Sequence, residues 1–265
     1  MTKPISGTRE WSTASVNCIT GCEHACRYCY AREQAMRFGR ISPPEEWATP
    51  VLRVQEVHKR RKKVDGRVMF PTTHDLTSEF KAPCFVVLKN LLEAGDDVLI
   101  VTKPHLEVVV DYCEWLKPWR DKVLWRFTIG SKDDDILSYW EPGAPNIVER
   151  LASLLHAYES GYATSVSCEP CLDIKTLVSL FCACEPFITD TFWIGKANKL
   201  ATRCVPGTDP DEIARVEAGQ TDEAVRRVYA ALKDEPKIRW KESYCKVLGI
   251  SQTVESEAEM NGAIT

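Results

Sequence analysis

The chain has 265 residues, 44% hydrophobic and 27% charged, the make-up of an ordinary globular protein long enough for one large α/β domain. No apolar run approaches the roughly 20 residues of a membrane span, and the opening MTKPISGTRE holds no signal-peptide core, so no membrane association and a cytoplasmic location are expected. A net charge of −4 argues against nonspecific coating of nucleic acid, and twelve cysteines in a reducing compartment suggest metal or redox chemistry.

Residues 1–13 read as a loose polar lead-in. Ala14 to Ile19 roughly alternates apolar and polar residues, a first strand, and the stretch CITGCEHACRYCY (18–30) follows at its end. Ala31 to Phe38 reads as a short helix stopped by Gly39. Val51 to Lys63 has helical spacing and closes in the basic run 58–63, suited either to phosphate contact or to a solvated helix end. Arg67 to Phe70 is a short apolar strand leading into the polar Thr72-Thr73-His74-Asp75. A helix over Phe85 to Leu92 precedes a third strand, Asp97 to Thr102, whose apolar run implies burial on both faces. Lys103 follows at once, and the next helix is His105 to Leu116. Val123 to Ile129 is a fourth strand ending in Gly130-Ser131. After a helix over Asn146 to Glu159, Thr164 to Cys168 is a fifth strand, continued by Glu169. A helix at Ile174 to Cys182 and a sixth strand at Phe187 to Ile194 lead to Lys196 and Asn198. Pro206 to Pro210 is a linker with a helix start. Asp211 to Leu232 is amphipathic, Ile238 to Val247 adds a short helix, and 251–265 is a frayed polar tail.

Six strands alternating with helices require a parallel sheet with right-handed crossovers. In such folds chemistry gathers at the strand C-termini. That rule collects Cys22, Cys26 and Cys29 with Thr72, Thr73, His74, Asp75, Lys103, Ser131, Cys168, Glu169, Lys196 and Asn198 into one polar ring. Three thiolates spaced C-x3-C-x2-C are one short of a closed tetrahedral site. On a four-iron cubane they leave one iron open, and an open coordination position favours catalysis. A zinc knuckle borrowing Cys18 or His24 as fourth ligand is the competing arrangement. Cys18 reads as a wall residue near the cluster, and a second cluster on Cys168, Cys171, Cys182 and Cys184 is disfavoured by the helix that separates the pairs.

The string Gly21-Cys22-Glu23-His24-Ala25-Cys26-Arg27-Tyr28-Cys29-Tyr30-Ala31-Arg32, with an aromatic just before the last cysteine, resembles the signature of the radical S-adenosylmethionine (SAM) superfamily, and most closely its spore photoproduct lyase-like branch. The resemblance covers roughly residues 14–200. It implies an α/β fold, a partial (βα)6 TIM-type barrel at 1–200, with a C-terminal helical extension at 201–250. It implies a [4Fe–4S] cluster on Cys22, Cys26 and Cys29, and SAM as the second cofactor. It further implies an external one-electron donor such as flavodoxin or ferredoxin. In the superfamily, one electron from the cluster cleaves SAM to a 5′-deoxyadenosyl radical that abstracts hydrogen from a substrate. By the same resemblance Lys103 lies near the SAM carboxylate, Ser131 makes a polar SAM contact and Tyr28 lies by the adenine. The Gly-Gly-Glu string of many relatives is replaced here by Pro71 to Asp75, so Thr73 or Asp75 takes the SAM amino group. Cys168 is a candidate hydrogen-atom donor and His74 a candidate acid or base. The substrate is open between a nucleic acid or nucleotide, through 58–63, Arg120 and Arg126, and a peptide or small molecule. A colourless zinc-stabilised binding module and an electron-transfer protein with a fully ligated cluster are the rival readings.

Overall fold

The structure, a computed structural model, describes residues 5–255. Its centre is a parallel sheet of seven strands in the order β1 (Ala14–Ser15), β4 (Arg67–Phe70), β5 (Asp97–Thr102), β6 (Val123–Thr128), β7 (Ala163–Cys168), β8 (Phe192–Ile194) and β9 (Ile238–Trp240). A separate antiparallel pair, β2 (Ile19–Thr20) and β3 (Val51–Leu52), stands beside β1 in sequence. The helices are α1 (Tyr30–Arg37), α2 (Val54–Val57), α3 (Lys81–Ala94), α4 (Leu106–Trp115), α5 (Asp134–Trp140), α6 (Ile147–Glu159), α7 (Leu177–Cys184), α8 (Leu200–Arg203), α9 (Pro210–Ala218), α10 (Asp222–Leu232) and α11 (Glu242–Leu248). β1 and β9 remain the two edges, so the α/β sheet is a partial barrel.

Strand parity sorts the side chains. Val98, Ile100, Trp125, Phe127, Val166, Phe192 and Ile194 face the helices and form the main core, each buried. Each such side chain contributes about 1.5–3 kcal/mol. The alternate positions, Met69, Leu99, Leu124 and Trp193, face the barrel interior with Trp11. Helix starts follow local chemistry. Asn146 accepts from Glu149 N (2.9 Å) at the start of α6, and Asp133 accepts from Asp135 N (2.9 Å) at the start of α5, caps typically worth about 1 kcal/mol.

Several expectations change. The first strand is split: only Ala14–Ser15 pairs with β4, while Ile19–Thr20 pairs with Val51–Leu52. That pairing removes Val51 and Leu52 from the expected helix, and Arg53 N donates to Cys18 O (2.7 Å), leaving only the four residues of α2 helical. The sixth strand is just Phe192–Ile194. α5 was not expected, and Gly219 divides the amphipathic stretch into α9 and α10. The expected helix at Ile238 to Val247 opens instead with β9, a seventh strand parallel to β8, so the C-terminal third is part of the sheet. The lead-in is packed where described: Glu10, Trp11 and Ser12 are buried. Residues 1–4, and 256–265 of the tail, lie outside the described residues.

The described end of the tail is anchored. Arg126, fully buried, points into the barrel floor and not towards a nucleic acid. Its Nη2 donates to both carboxylate oxygens of Glu255 (2.9 and 3.1 Å), and Trp193 Nε1 donates to Oε1 (2.9 Å). Burial works to raise the Glu255 carboxyl, but Arg126 prevails and holds it below its ordinary value. A depressed carboxyl stabilises the fold above the unfolded-state value near 4.5 and loses that contribution as pH falls through the folded one. Glu255→Gln is therefore expected to lower stability at pH 7 by about 2 kcal/mol and to flatten the acid side of the stability curve. Urea unfolding at neutral and acid pH tests this; equal losses at both would remove the role given to the charge.

Candidate active site

Because the sheet is parallel, its strand C-termini share one end, and there a cavity of about 1240 Å³ opens. That exceeds the usual 300–1000 Å³ of a small-molecule pocket, leaving room for a cofactor and a substrate together. Cys22, Cys26 and Cys29 all line it, on the loop between β2 and α1.

The loop is held by its backbone. Cys22 N donates to Trp47 O (2.8 Å), Arg27 N to Trp140 O (2.9 Å) and Gly143 N to His24 O (3.1 Å). Arg32, buried, donates to the carbonyls of Cys26 (3.0 Å), Arg27 (2.9 Å) and Arg203 (2.7 Å). Gly143 permits the contact with the loop: a Cβ there would lie 2.3 Å from Glu23 O and 2.8 Å from His24 Cα. Ala25 takes a φ of +49°, uncommon for a residue with a Cβ and a mark of local strain. Ala31, Ala35, Ile41 and Trp47 pack round Cys22 and shield it from water.

Asp75 is the hub of the wall that adjoins the loop. Its Oδ1 accepts from Lys103 N (2.7 Å) and Thr102 Oγ1 (3.0 Å); its Oδ2 lies 2.9 Å from His24 Nδ1, 3.6 Å from Lys103 Nζ and 3.8 Å from Cys22 Sγ. Burial opposes ionisation of Asp75, yet Lys103 and His24 hold its carboxyl well below the usual range. Burial likewise works to strip Lys103 of its proton, and Asp75, Cys26, Tyr28 and Glu141 hold its pKa well above normal. Both groups stay charged in the cavity. Tyr28 lines the cavity with its hydroxyl donating to Glu141, and Glu141 forms a fully buried ion pair with Arg150 at 2.5 Å.

The residues singled out from sequence divide clearly. Thr73, His74, Asp75, Lys103, Glu169, Lys196 and Asn198 line the cavity with the three cysteines and Tyr28. Ser131 does not: it is buried, and its Oγ accepts from Asp133 N (3.0 Å) in the turn before α5. Cys168 does not either. Parity sends Ser165 and Ser167 inward and turns Cys168 to the helical core, fully buried, so it is not placed to return a hydrogen atom to anything in the cavity. His74 has both ring nitrogens engaged, Nε2 by Cys18 N (3.4 Å) and Nδ1 by Asp75 O (3.1 Å), the pattern of a wall-forming histidine rather than an acid or base. Cys18 packs in the core with its Sγ 3.7 Å from Cys84 Sγ, away from the cavity. Sequence reasoning missed Lys241, Glu10 and Trp11, which line the cavity from segments expected to be a helix and a loose lead-in. The basic run 58–63 lies elsewhere. Val64 N donates to Asp96 Oδ1 (2.8 Å) just before β5, so the run sits at the opposite, N-terminal end of the sheet.

Two metal arrangements are geometrically available. Ligand atoms of Cys22, His24 and Asp75 lie within 4.8 Å of one another. However, His24 already uses Nδ1 on Asp75 and Nε2 on His105 Nε2, each at 2.9 Å. The thiols of Cys22, Cys26 and Cys29 are free of disulfides; Cys22 touches Asp75 at 3.8 Å, and Cys29 takes backbone hydrogen bonds from Ala31 and Arg32, which a metal-bound thiolate can keep. Burial pushes Cys26 up to about 12 and Cys22 and Cys29 above their ordinary values, which favours a thiol until a cationic centre replaces the proton. An all-sulfur donor set facing an open cavity fits an iron–sulfur cluster.

No protein-family model matches the chain. The uncharacterized protein ORF301 of Acidianus two-tailed virus is 28% identical over 167 residues, spanning 59% of this chain and 55% of that protein, so the match takes in little more than half of the relative. Among solved structures, a doubly substituted spore photoproduct lyase with bound AdoMet and dinucleoside spore photoproduct aligns with 85% of this chain and 75% of its own, with a TM-score of 0.51 and 17% identity. Streptococcus suis SuiB bound to precursor peptide SuiA aligns with 89% of this chain and 50% of its own, with a TM-score of 0.54 and 13% identity. The chain thus shares its fold with the solved spore photoproduct lyase and SuiB structures.

Proposed function

We propose that the chain is a radical SAM enzyme whose Cys22, Cys26 and Cys29 hold a [4Fe–4S] cluster at the rim of the strand-end cavity. The observation that carries the reading is the convergence of these three thiols on one cavity with the charged Asp75–Lys103 pair. When bound, the cluster supplies one electron that splits SAM into methionine and a 5′-deoxyadenosyl radical able to take hydrogen from a substrate. Lys103 brings positive charge towards the SAM carboxylate, and Thr73 and Asp75 offer oxygen acceptors to its ammonium. Tyr28, fixed through Glu141, walls the adenine side. Trp47, Ala31 and Ala35 keep water from the loop. A flavodoxin- or ferredoxin-type carrier is the electron source in this reading.

A nucleotide or nucleic acid is the substrate we favour. The solved lyase holds a dinucleoside, and Lys196, Lys199 and Arg203 line the mouth of this chain's cavity. Lys199 is exposed and takes a φ of +60°. The test is EPR of the anaerobically reconstituted, reduced protein with and without SAM. A [4Fe–4S]+ signal altered by SAM, with 5′-deoxyadenosine among the products, is expected. A cluster signal indifferent to SAM would return the chain to electron transfer, and stoichiometric zinc without iron would sink the reading.

A further inference from the structure

β7 and the residue that follows it aim two polar side chains into the cavity that the steps above do not use. Ser167 is 1% exposed and lines the cavity, and its Oγ has no hydrogen-bond partner among the described residues. A buried hydroxyl left unmet is costly and calls for a ligand or an ordered water. Glu169, two residues on, reaches the same cavity with a side chain that is 24% exposed.

Glu169 is braced from behind. Lys241 Nζ lies 3.2 Å from its Oε2, 3.0 Å from Glu10 Oε1 and 2.9 Å from Gly7 O. The lysine is 1% exposed and sits 3.8 Å over the Trp11 ring. Glu10 also accepts from Glu242 N at 3.0 Å. Gly195 makes the assembly possible, since a Cβ there would fall 2.9 Å from both Glu169 Cγ and Lys241 Cγ. One lysine is thus shared by two carboxylates at the cavity wall. Burial raises the Glu169 carboxyl, Lys241 lowers it and Glu10 raises it again, with a net rise; a cation in front of it would relieve that cost.

We propose that Ser167 Oγ and the Glu169 carboxylate form a ligand subsite, separate from any nucleotide held at the mouth, that takes a planar cationic nitrogen group, an amidinium or guanidinium, through its N–H donors. Its place beside a cofactor rests on the radical SAM reading; the cation preference does not. The probe is benzamidine, with neutral benzamide as control, titrated by calorimetry into the reconstituted, SAM-saturated protein. Benzamidine is expected to bind more tightly than benzamide. Glu169→Gln is expected to weaken benzamidine by about tenfold or more and Ser167→Ala by about threefold, with benzamide little affected. Ser167→Ala tests the same subsite should the glutamine variant not fold. Equal benzamidine affinity in the unaltered and variant proteins, or none in the unaltered protein, overturns the proposal. So does a Glu169→Gln variant that loses SAM but keeps benzamidine, because the carboxylate would then serve the cofactor. An EPR signal of the unaltered protein that ignores SAM would sink the radical reading alone and leave the benzamidine comparison standing.

Discussion

Replacing any one of Cys22, Cys26 and Cys29 by serine is expected to reduce bound iron, and SAM cleavage with it, by roughly a hundredfold or more. Loss of a hydrogen-bond partner behind a metal ligand already costs about 10–100-fold, and these changes remove the ligand itself. The structure supplies an internal control. Cys18, four residues before Cys22, and Cys84, on α3, face each other in the core at 3.7 Å. Serine at either is expected to keep iron near its original level while lowering stability modestly. Iron and sulfide analysis alongside EPR reads both sets. Iron retained in all three loop variants would remove the loop as the cluster site. Zinc in place of iron, lost on changing His24, would favour the Cys22–His24–Asp75 arrangement.

The second large effect is expected away from the cysteines. Glu141 and Arg150 are both fully buried and paired at 2.5 Å. Arg150 also donates to Pro145 O (2.8 Å) and Thr128 O (3.2 Å), and Glu141 accepts from Tyr28. Burial works to raise the Glu141 carboxyl, but Arg150 and Lys103 hold it below its ordinary value, so it stays ionised. Glu141→Ala leaves a buried guanidinium without its counter-charge, at a cost of about 3–5 kcal/mol. For a chain of this size that lowers the melting temperature by roughly 10 °C. Changing Arg150→Met together with Glu141→Leu is expected to recover most of the loss, because the apolar pair leaves no charge stranded. A double variant no more stable than Glu141→Ala would show that the pair is not the unit that matters. Tyr28 loses its partner in both cases, so cavity function is expected to fall even where stability returns.

The sheet was legible where a strand carries its own signature. Asp97 to Thr102, a run rich in β-branched residues, is β5 to the residue. The strand-end rule brought together Thr73, Asp75, Lys103, Glu169, Lys196 and Asn198 because parallel strands share one C-terminal end. It failed at Cys168 and Ser131, where one step of parity or one turn of loop points the side chain away, and strand boundaries are too blurred in sequence to fix that step. β9 was hidden for another reason. Three residues, Ile-Arg-Trp, are too few to show a period, and only the edge of β8 makes them a strand. The pairs Arg126–Glu255 and Lys241–Glu10 join residues 129 and 231 positions apart, and no local pattern announces such a contact.

An open barrel has edges, and edges bear on solubility. A long unpaired strand is a template on which a second molecule can build. Here the exposed margins are only two residues at β1 and three at β9. The gap near them is bridged by the N-terminal segment: Lys241 Nζ donates to Gly7 O, and Glu242 N donates to the Glu10 carboxylate. What limits the cavity's wall on that side also denies a neighbouring molecule the ladder it would need, so the partial barrel stays open to ligands without inviting edge-to-edge aggregation.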